Sequence, residues 1–252
     1  MDVKATILVA AHKPYWIPNS PLYLPVQVNA AASDAIPGFQ PDDVGDNISS
    51  RNANYCELTA LYWGWKNLDA DYLGLAHYRR HFTTGKTGDK KSRVINQSQL
   101  KNMLEHAQVI LPRSRRYFIE TNYSQYVHAH HKEDLELTRE IVATRGASYL
   151  QKYDEVMQRT YGHRFNMFVM RRDLADAYCD WLFGILFELE RNLDISAYNA
   201  NDARVFGFVS ERLIDCWVEA CGLNYQELPV VNLENQHWVR KGASFIARKF
   251  GR

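Results

Sequence analysis

The sequence predicts an α/β sandwich built on a mainly parallel sheet. Two observations carry that reading. Short continuous apolar runs of strand length recur along the chain, and between them lie longer stretches with apolar residues at three-four spacing. Strands that alternate with helices are joined by crossovers, which favour a parallel sheet with helices packed on it. A chain of 252 residues suits one large domain or a domain with a small lobe.

The first strand is Thr6-Ile-Leu-Val-Ala10, ending in the loop Ala11-His12-Lys13-Pro14. Residues 14–54 are rich in Pro, Asn, Asp and Ser, with one helix expected near Val26–Ser33. Residues 54–67 read as a helix: Asn54 and Glu57 resemble a capping box, and Tyr55, Leu58, Leu61, Tyr62 and Trp65 share one face. A strand follows at Tyr72–His77 and runs into Tyr78-Arg79-Arg80-His81. After a polar loop at 83–93, a helix near 97–106 leads to a strand at 108–111. Helices are expected at 133–145 and 147–159, and a strand at Phe165–Met170. Leu174, Tyr178, Trp181, Leu182, Ile185 and Leu189 mark a long amphipathic helix. Val205, Phe206, Val209, Leu213 and Trp217 mark the next. The main domain is expected over residues 1–237. Residues 238–252, with five basic residues and no acidic one among Trp238, Phe245, Ile246 and Phe250, form a separate tail.

Composition narrows the function. Thirty basic against 29 acidic residues give a formal charge of +1, which offers no electrostatic reason for a nucleic-acid partner. The start is not a signal peptide, because the apolar run is short and Asp2 occupies the n-region. No stretch approaches the roughly 20 apolar residues of a membrane-spanning helix. Cys56, Cys179, Cys216 and Cys221 form no CxxC pair and are expected to be reduced core thiols in helices of a cytoplasmic protein. GxGxxG, Walker, HExxH, GxSxG and kinase motifs are missing, against dinucleotide oxidoreductases, P-loop enzymes and the commonest hydrolases.

Ligands of open α/β sheets sit beyond the carboxyl ends of the strands. That rule selects His12-Lys13, the segment His77–His81 and the loop after residue 170. Arg79 and Arg80 can hold a diphosphate by fork-shaped, charge-assisted hydrogen bonds, and alternation along the strand lets His77 share their cleft. Asp69-Ala-Asp71 has the DxD spacing of a divalent-metal motif. It precedes a strand instead of following one, so a polar turn is the favoured reading. His128, His130 and His131, with Tyr126, suit sugar hydroxyls; a metal site or a plain surface loop competes. In the segment 201–212 and the helix that continues from it, Arg204, Glu211 and Asp215 fall opposite the apolar stripe. A carboxylate there can serve as general base, against the alternative of a solvated helix face.

Taken in order, Asp43-Val-Gly-Asp-Asn47, Asn54-Tyr-Cys-Glu57, Asp71–Arg80, Glu120–His131, Phe165-Asn166-Met-Phe168 and Arg204–Arg212 resemble one family over roughly residues 5–235. This is the domain-of-unknown-function 4422 family of bacterial capsule, exopolysaccharide and O-antigen glycosyltransferases. The resemblance implies a GT-A-like, Rossmann-like α/β/α sandwich. It also implies a hexosyl transfer from a nucleotide-sugar, and similarity to galactofuranosyltransferase domains of O-antigen polymerases. Asn166 lies where other GT-A enzymes contact the donor sugar. His77–Arg80 stands where such enzymes carry their DxD.

The expected donor site therefore combines Ala10, His12 and Lys13 under the nucleotide, Asp46, Asn47 and Glu57 on uridine or ribose, Asn166 on the sugar, and His77, Arg79 and Arg80 on the diphosphate. Tyr126, His128, His130 and His131 are the expected acceptor contacts. Glu211 is the first choice of base, then Asp202, then Glu120. Inversion is inferred only through the galactofuranosyl likeness. No metal ligand and no cofactor are expected, the UDP-sugar being a substrate; Mn²⁺ or Mg²⁺ dependence is the competing expectation. The acceptor is expected to be a growing lipid-linked oligosaccharide. The tail is expected either to lie on an anionic inner membrane at its cytoplasmic face or to lead into a second transferase domain. The rival functions are a non-catalytic sugar- or nucleotide-binding module and a histidine-site metal hydrolase.

Overall fold

A computed structural model describes residues 4–85 and 87–234. The proposed tail at 238–252 lies outside the described residues. In chain order the elements are β1 (Ala5–Ala11), β2 (Tyr23–Gln27), β3 (Gln40–Pro41), α1 (Asn52–Tyr55), α2 (Leu58–Asn67), β4 (Tyr72–His77), β5 (Arg80–Phe82) and α3 (Gln97–Leu104). They continue with β6 (Val109–Pro112), β7 (Arg115–Arg116), α4 (Asn122–Val127), α5 (Lys132–Thr144), α6 (Ala147–Gln158) and β8 (Tyr161–Gly162). Last come β9 (Phe168–Arg171), α7 (Arg172–Asn192), α8 (Val205–Ala220), β10 (Tyr225–Leu228) and β11 (Val230–Asn232).

The main sheet runs β10-β6-β9-β4-β1-β2-β3. Its strands are parallel except β9, which is antiparallel to both β4 and β6. The expected α/β sandwich with a mainly parallel sheet is thus the observed fold. The apolar runs explain why: β1 and β4 are covered on both faces, so both sets of alternating side chains are apolar. Leu8 and Leu75 face one core with α2, α5, α6, α7 and α8; Ile7, Val9 and Ala76 face another with α3. The sandwich is uneven, because most helices crowd one face. The second face is closed partly by the hairpin of β4 and β5, to which β11 adds an antiparallel strand.

Several sequence expectations are corrected. The helix near Val26–Ser33 is instead β2, followed by a single 3-10 turn at Ala30–Ala32. Asn29 turns the chain there at φ 62°, and the buried Asp42 carboxylate holds the turn through the N–H groups of Asn29 and Ala30. The helix at 54–67 is two pieces, broken where Cys56 takes φ 53°. No capping box forms there; Asn54 Nδ2 donates to the carbonyl of Ala203 at 2.7 Å. The strand at 165–170 begins only at Phe168, because Phe165 and Asn166 are both left-handed, at φ 77° and 53°. Helix α8 is buried on nearly every side, so the solvated face expected for Asp215 does not exist: Asp215 is buried against His163. Cys179 and Cys216 are buried free thiols, as expected; Cys221 is exposed beyond α8, and Cys56 is half-buried at the helix break.

Candidate active site

A cleft of about 370 Å³ opens at the carboxyl edge of the sheet. One wall is the β4–β5 hairpin, with His77, Arg79 and Arg80. The floor is the helix break at Cys56-Glu57 and the left-handed turn at Phe165. The other wall comes from α4 and α8, with Gln125, Phe208, Glu211 and Arg212, joined by Arg115, Tyr117 and Arg164.

The turn at Phe165-Asn166 organises the carboxylates. A non-glycine residue in the left-handed region is strained, and two in succession are held only by surrounding contacts. Here the contacts are specific. The Phe165 N–H donates to Glu211 Oε1 at 3.0 Å. Asn166 Nδ2 donates to Glu57 Oε1 at 2.7 Å and to the Gly207 carbonyl at 3.1 Å, while its Oδ1 accepts from Ser210 Oγ at 2.8 Å. His77 Nε2 lies 2.6 Å from the Phe165 carbonyl and 3.7 Å from Glu57 Oε1. One turn therefore aims two carboxylates from different helices into the same cleft.

The cationic side is unevenly paired. Arg79 reaches Glu234 at 3.2 Å. Arg80 stacks over the Phe165 ring at 4.5 Å, and burial, with the nearby charge of Arg79, lowers its pKa. Arg204 donates to Cys56 Sγ at 3.1 Å and lies over the Phe208 ring at 5.1 Å. Burial and the charge of Glu57 push the Cys56 thiol up to about 11. Among the described residues, Arg80 and Arg204 have no carboxylate within 4 Å. Uncompensated guanidinium groups at a strand end are a strong attractor for phosphate.

Glu57, His77, Arg79, Arg80, His130 and Glu211 are brought together at this cleft. Other expected residues are placed elsewhere. Asn166 is buried, and every bond of its side chain goes to protein, so it supports Glu57 instead of facing a sugar. Asp202 accepts from His130 Nδ1 at 2.9 Å, which lowers its own pKa, and lies 3.5 Å from His131 Nε2. It therefore orients His130, which stacks on Phe208 at 4.4 Å. Glu120 pairs with the exposed His128 at 2.8 Å, outside the cleft lining. Tyr126 is fully buried and donates to Asp134 at 2.6 Å, so its hydroxyl is not presented to an acceptor.

On the donor side, Ala10 is a core residue of β1 whose carbonyl accepts from Tyr78 N at 3.1 Å. His12 packs edge-on to Tyr78 and Lys13 lies 5.5 Å over the same ring; neither lines the cleft. Asp46 and Asn47 close a loop at the far end of α2: the Asp46 carboxylate accepts from the Tyr62 hydroxyl, the Asp46 N–H donates to Asn67 Oδ1, and Asn47 donates to the carbonyls of Asp43 and Gly45. Asp71 of the DxD pattern accepts from the Lys4 N–H at the amino edge of the sheet, remote from the cleft, as the turn reading expected. His128 pairs with Glu120, whereas His130 and His131 share Asp202. Among the described residues no three His, Cys, Asp or Glu side chains group to hold a metal ion. No described helix is long and apolar enough to cross a membrane.

Sequence reasoning missed Arg115, Tyr117, Gln125, Arg164 and Phe208. For Arg115, Tyr117 and Gln125 the signal was the density of Arg, Tyr and His at 113–135; Arg164 and Phe208 lie outside that segment.

The solved apo structure of WbbM, a bifunctional glycosyltransferase, is 31% identical and superposes with a TM-score of 0.85 over 92% of this chain. The match covers 46% of WbbM, so the chain spans about half the length of that relative. No curated protein matches the sequence. Residues 6–222 match the family described as Domain of unknown function (DUF4422). With that match running from the first strand to the end of α8, the chain belongs to the DUF4422 family.

Proposed function

We propose that the chain is a glycosyltransferase that moves a sugar from a UDP-sugar to a hydroxyl of a growing bacterial surface polysaccharide. The observation that carries this is the cleft itself. It joins arginines without acidic partners to two anchored carboxylates at the edge of the sheet where such folds take ligands. Similarity to WbbM over nearly the whole chain supports the same class.

In this reading the diphosphate lies against Arg79 and Arg80. The acceptor oxygen attacks the anomeric carbon as the bond from that carbon to the diphosphate oxygen breaks, and its electron pair leaves with UDP. Arg79 and Arg80 take up the charge that develops on the leaving group, an effect worth several kcal/mol in a site with little water. The acceptor proton passes to Glu211. Its Oε1 is held by the Phe165 N–H, and its Oε2 lies 3.9 Å from Arg212. Glu57, held by Asn166 and adjacent to His77, contacts the donor. The guanidinium groups do the work a divalent ion does elsewhere, and no metal is required. Galactofuranose is the first sugar to try, on a lipid-linked acceptor at the cytoplasmic face of the membrane.

The test is incubation with a panel of UDP-sugars, UDP-galactofuranose included, scoring UDP release with and without oligosaccharide acceptors. Release that depends on acceptor supports transfer. Tight UDP binding with no turnover on any donor would make the chain a binding module.

A further inference from the structure

The arginines of the cleft outnumber what a nucleotide-sugar needs. Six line it, against Glu57 and Glu211. Counting Glu234 as well, and one negative charge on each phosphate of the donor, still leaves a guanidinium charge unmatched. The surplus lies on the side away from the β4–β5 hairpin, around Arg115, Arg164 and Arg212.

Those groups have unusual partners. Arg164 is 3% exposed and Arg212 is 4% exposed. Arg164 donates to the Tyr117 hydroxyl at 2.9 Å, to the His163 carbonyl at 2.5 Å, and to Asn122 Oδ1. Arg212 donates to the Phe208 carbonyl at 2.7 Å and to Gln125 Oε1 at 2.8 Å, while its Nε meets no acceptor among the described residues. All of these acceptors are neutral. The nearest carboxylate is Glu211, 3.9 Å from Arg212, beyond hydrogen-bond distance. Arg115 is exposed, stacks over the Tyr117 ring at 5.5 Å, and has no carboxylate within 4 Å among the described residues. Buried charges are ordinarily paired, because desolvating an ion without a counter-charge costs several kcal/mol. Burial does lower the pKa of Arg212, with the charge of Arg164 acting in the same sense. A guanidinium stays protonated even so.

We propose that Arg115, Arg164 and Arg212 form a second anion subsite, which receives an oxyanion carried by the acceptor. The substrate class is then an acidic acceptor, bearing a sugar carboxylate or a phosphate near the hydroxyl that reacts. Arg115 is the exposed member that contacts the anion; Arg164 and Arg212 supply the field from behind it. Glu211 sits beside this subsite, so an anion there places the acceptor hydroxyl next to the base. The charge of the anion also balances the one guanidinium charge left unmatched. The inference rests on the glycosyltransferase reading for the word acceptor, but the subsite itself does not depend on it.

The test is isothermal titration of the full chain, with and without saturating UDP, using methyl glucuronide, glucose 6-phosphate and the neutral methyl glucoside. The expected result is that at least one charged probe binds tenfold or more tighter than the glucoside, with UDP present. Arg115→Ala and Arg115→Glu should erase that preference while UDP affinity stays within twofold. A preference for the glucuronide identifies a carboxylate as the ligand, and one for glucose 6-phosphate identifies a phosphate. Equal binding of charged and neutral probes overturns the subsite. So does an Arg115 variant that weakens UDP and leaves the probe preference intact, since Arg115 would then serve the donor. If UDP does not bind but a charged probe does so in an Arg115-dependent manner, the donor reading fails and the subsite stands.

Discussion

Asn166 Nδ2 donates to Glu57 Oε1 at 2.7 Å, and this contact ties a strained turn to a carboxylate 109 residues away in sequence. The same asparagine holds Gly207 and Ser210 of α8. It is thus a brace between α2, α8 and the start of β9. Replacing it with alanine removes a donor from the Glu57 carboxylate, while Ser210 Oγ and the Gly207 carbonyl keep each other, and the lost charged hydrogen bond costs about 1–3 kcal/mol. Asn166→Ala should lower the melting temperature and reduce turnover through a misplaced Glu57. Restored turnover in Asn166→Ala with Glu57 still in place by crystallography would show that the brace is dispensable.

Glu211→Gln preserves shape and removes the proposed proton acceptor. Loss of a general base costs typically about 10²–10⁴-fold in rate. Turnover with acceptor should fall by that order while UDP affinity and melting temperature hold. Glu120→Gln, outside the cleft lining, should leave turnover unchanged. Equal losses in both variants would remove Glu211 from the chemistry.

Arg79→Ala and Arg80→Ala test the leaving-group role. Each should lower kcat by about 10²–10³-fold, the scale seen when one preorganised donor is removed. Arg80 stacks on Phe165, so its loss should also loosen the turn and lower stability. Transfer in excess EDTA is expected to persist; abolition by EDTA with recovery on Mn²⁺ would replace the arginine mechanism with a metal-assisted one.

His163 gives the fold a definite pH response. Burial alone would lower its pKa, but the hydrogen bond and charge of Asp215, joined by the charge of Glu227, outweigh burial and raise it. For a histidine with a raised pKa, the stabilisation is complete below the unfolded value near 6.5 and is lost as pH rises through the folded value. Glu227 shifts the other way: burial would raise it, yet the Ser114 and His163 contacts hold it below the usual range. Its contribution is therefore lost as pH falls through its lowered folded value. Chemical denaturation should show a decline in stability above about pH 6.5 that His163→Gln removes. An unchanged slope in that variant would assign the decline to other groups.

Gly162 tests the same corner by size. A Cβ there would lie 2.7 Å from Arg164 Nη1 and 2.8 Å from Asp215 Oδ2. Gly162→Ala should cost about 1–3 kcal/mol, as overpacking does. It should also loosen Arg164, so weaker binding of anionic probes is expected alongside the lower melting temperature.

Strands β1 and β4 and helices α5 to α8 were legible in the sequence because their apolar spacing is set by burial alone. Strand β2 was not, since Pro25 lies inside it. Proline is tolerated there because β1 pairs with that residue while β3 pairs only Val26 and Gln27, leaving its other side free. Strands β10 and β11 carry too few apolar residues to stand out. Of the site, Glu57, His77, Arg79, Arg80 and Glu211 followed from strand ends and motif order. Asn166 has a left-handed backbone and bonds its side chain to protein partners, which no residue pattern reveals. Asp46 and Asn47 bond within their own loop and to α2, which residue type alone does not show. Arg115, Arg164 and Arg212 come from three separate segments, and only folding brings them together.

The two ends of the described chain leave the sheet at opposite edges. Lys4 is pinned to Asp71 beside the amino ends of the strands, whereas the Leu233 N–H is bound to the carbonyl of Arg79 and Glu234 to its guanidinium. Purification handles therefore belong at the front of the chain, away from the cleft. A fluorophore grafted just past Glu234 would instead begin next to Arg79, and its emission would report directly on whether that arginine has exchanged its glutamate for a nucleotide.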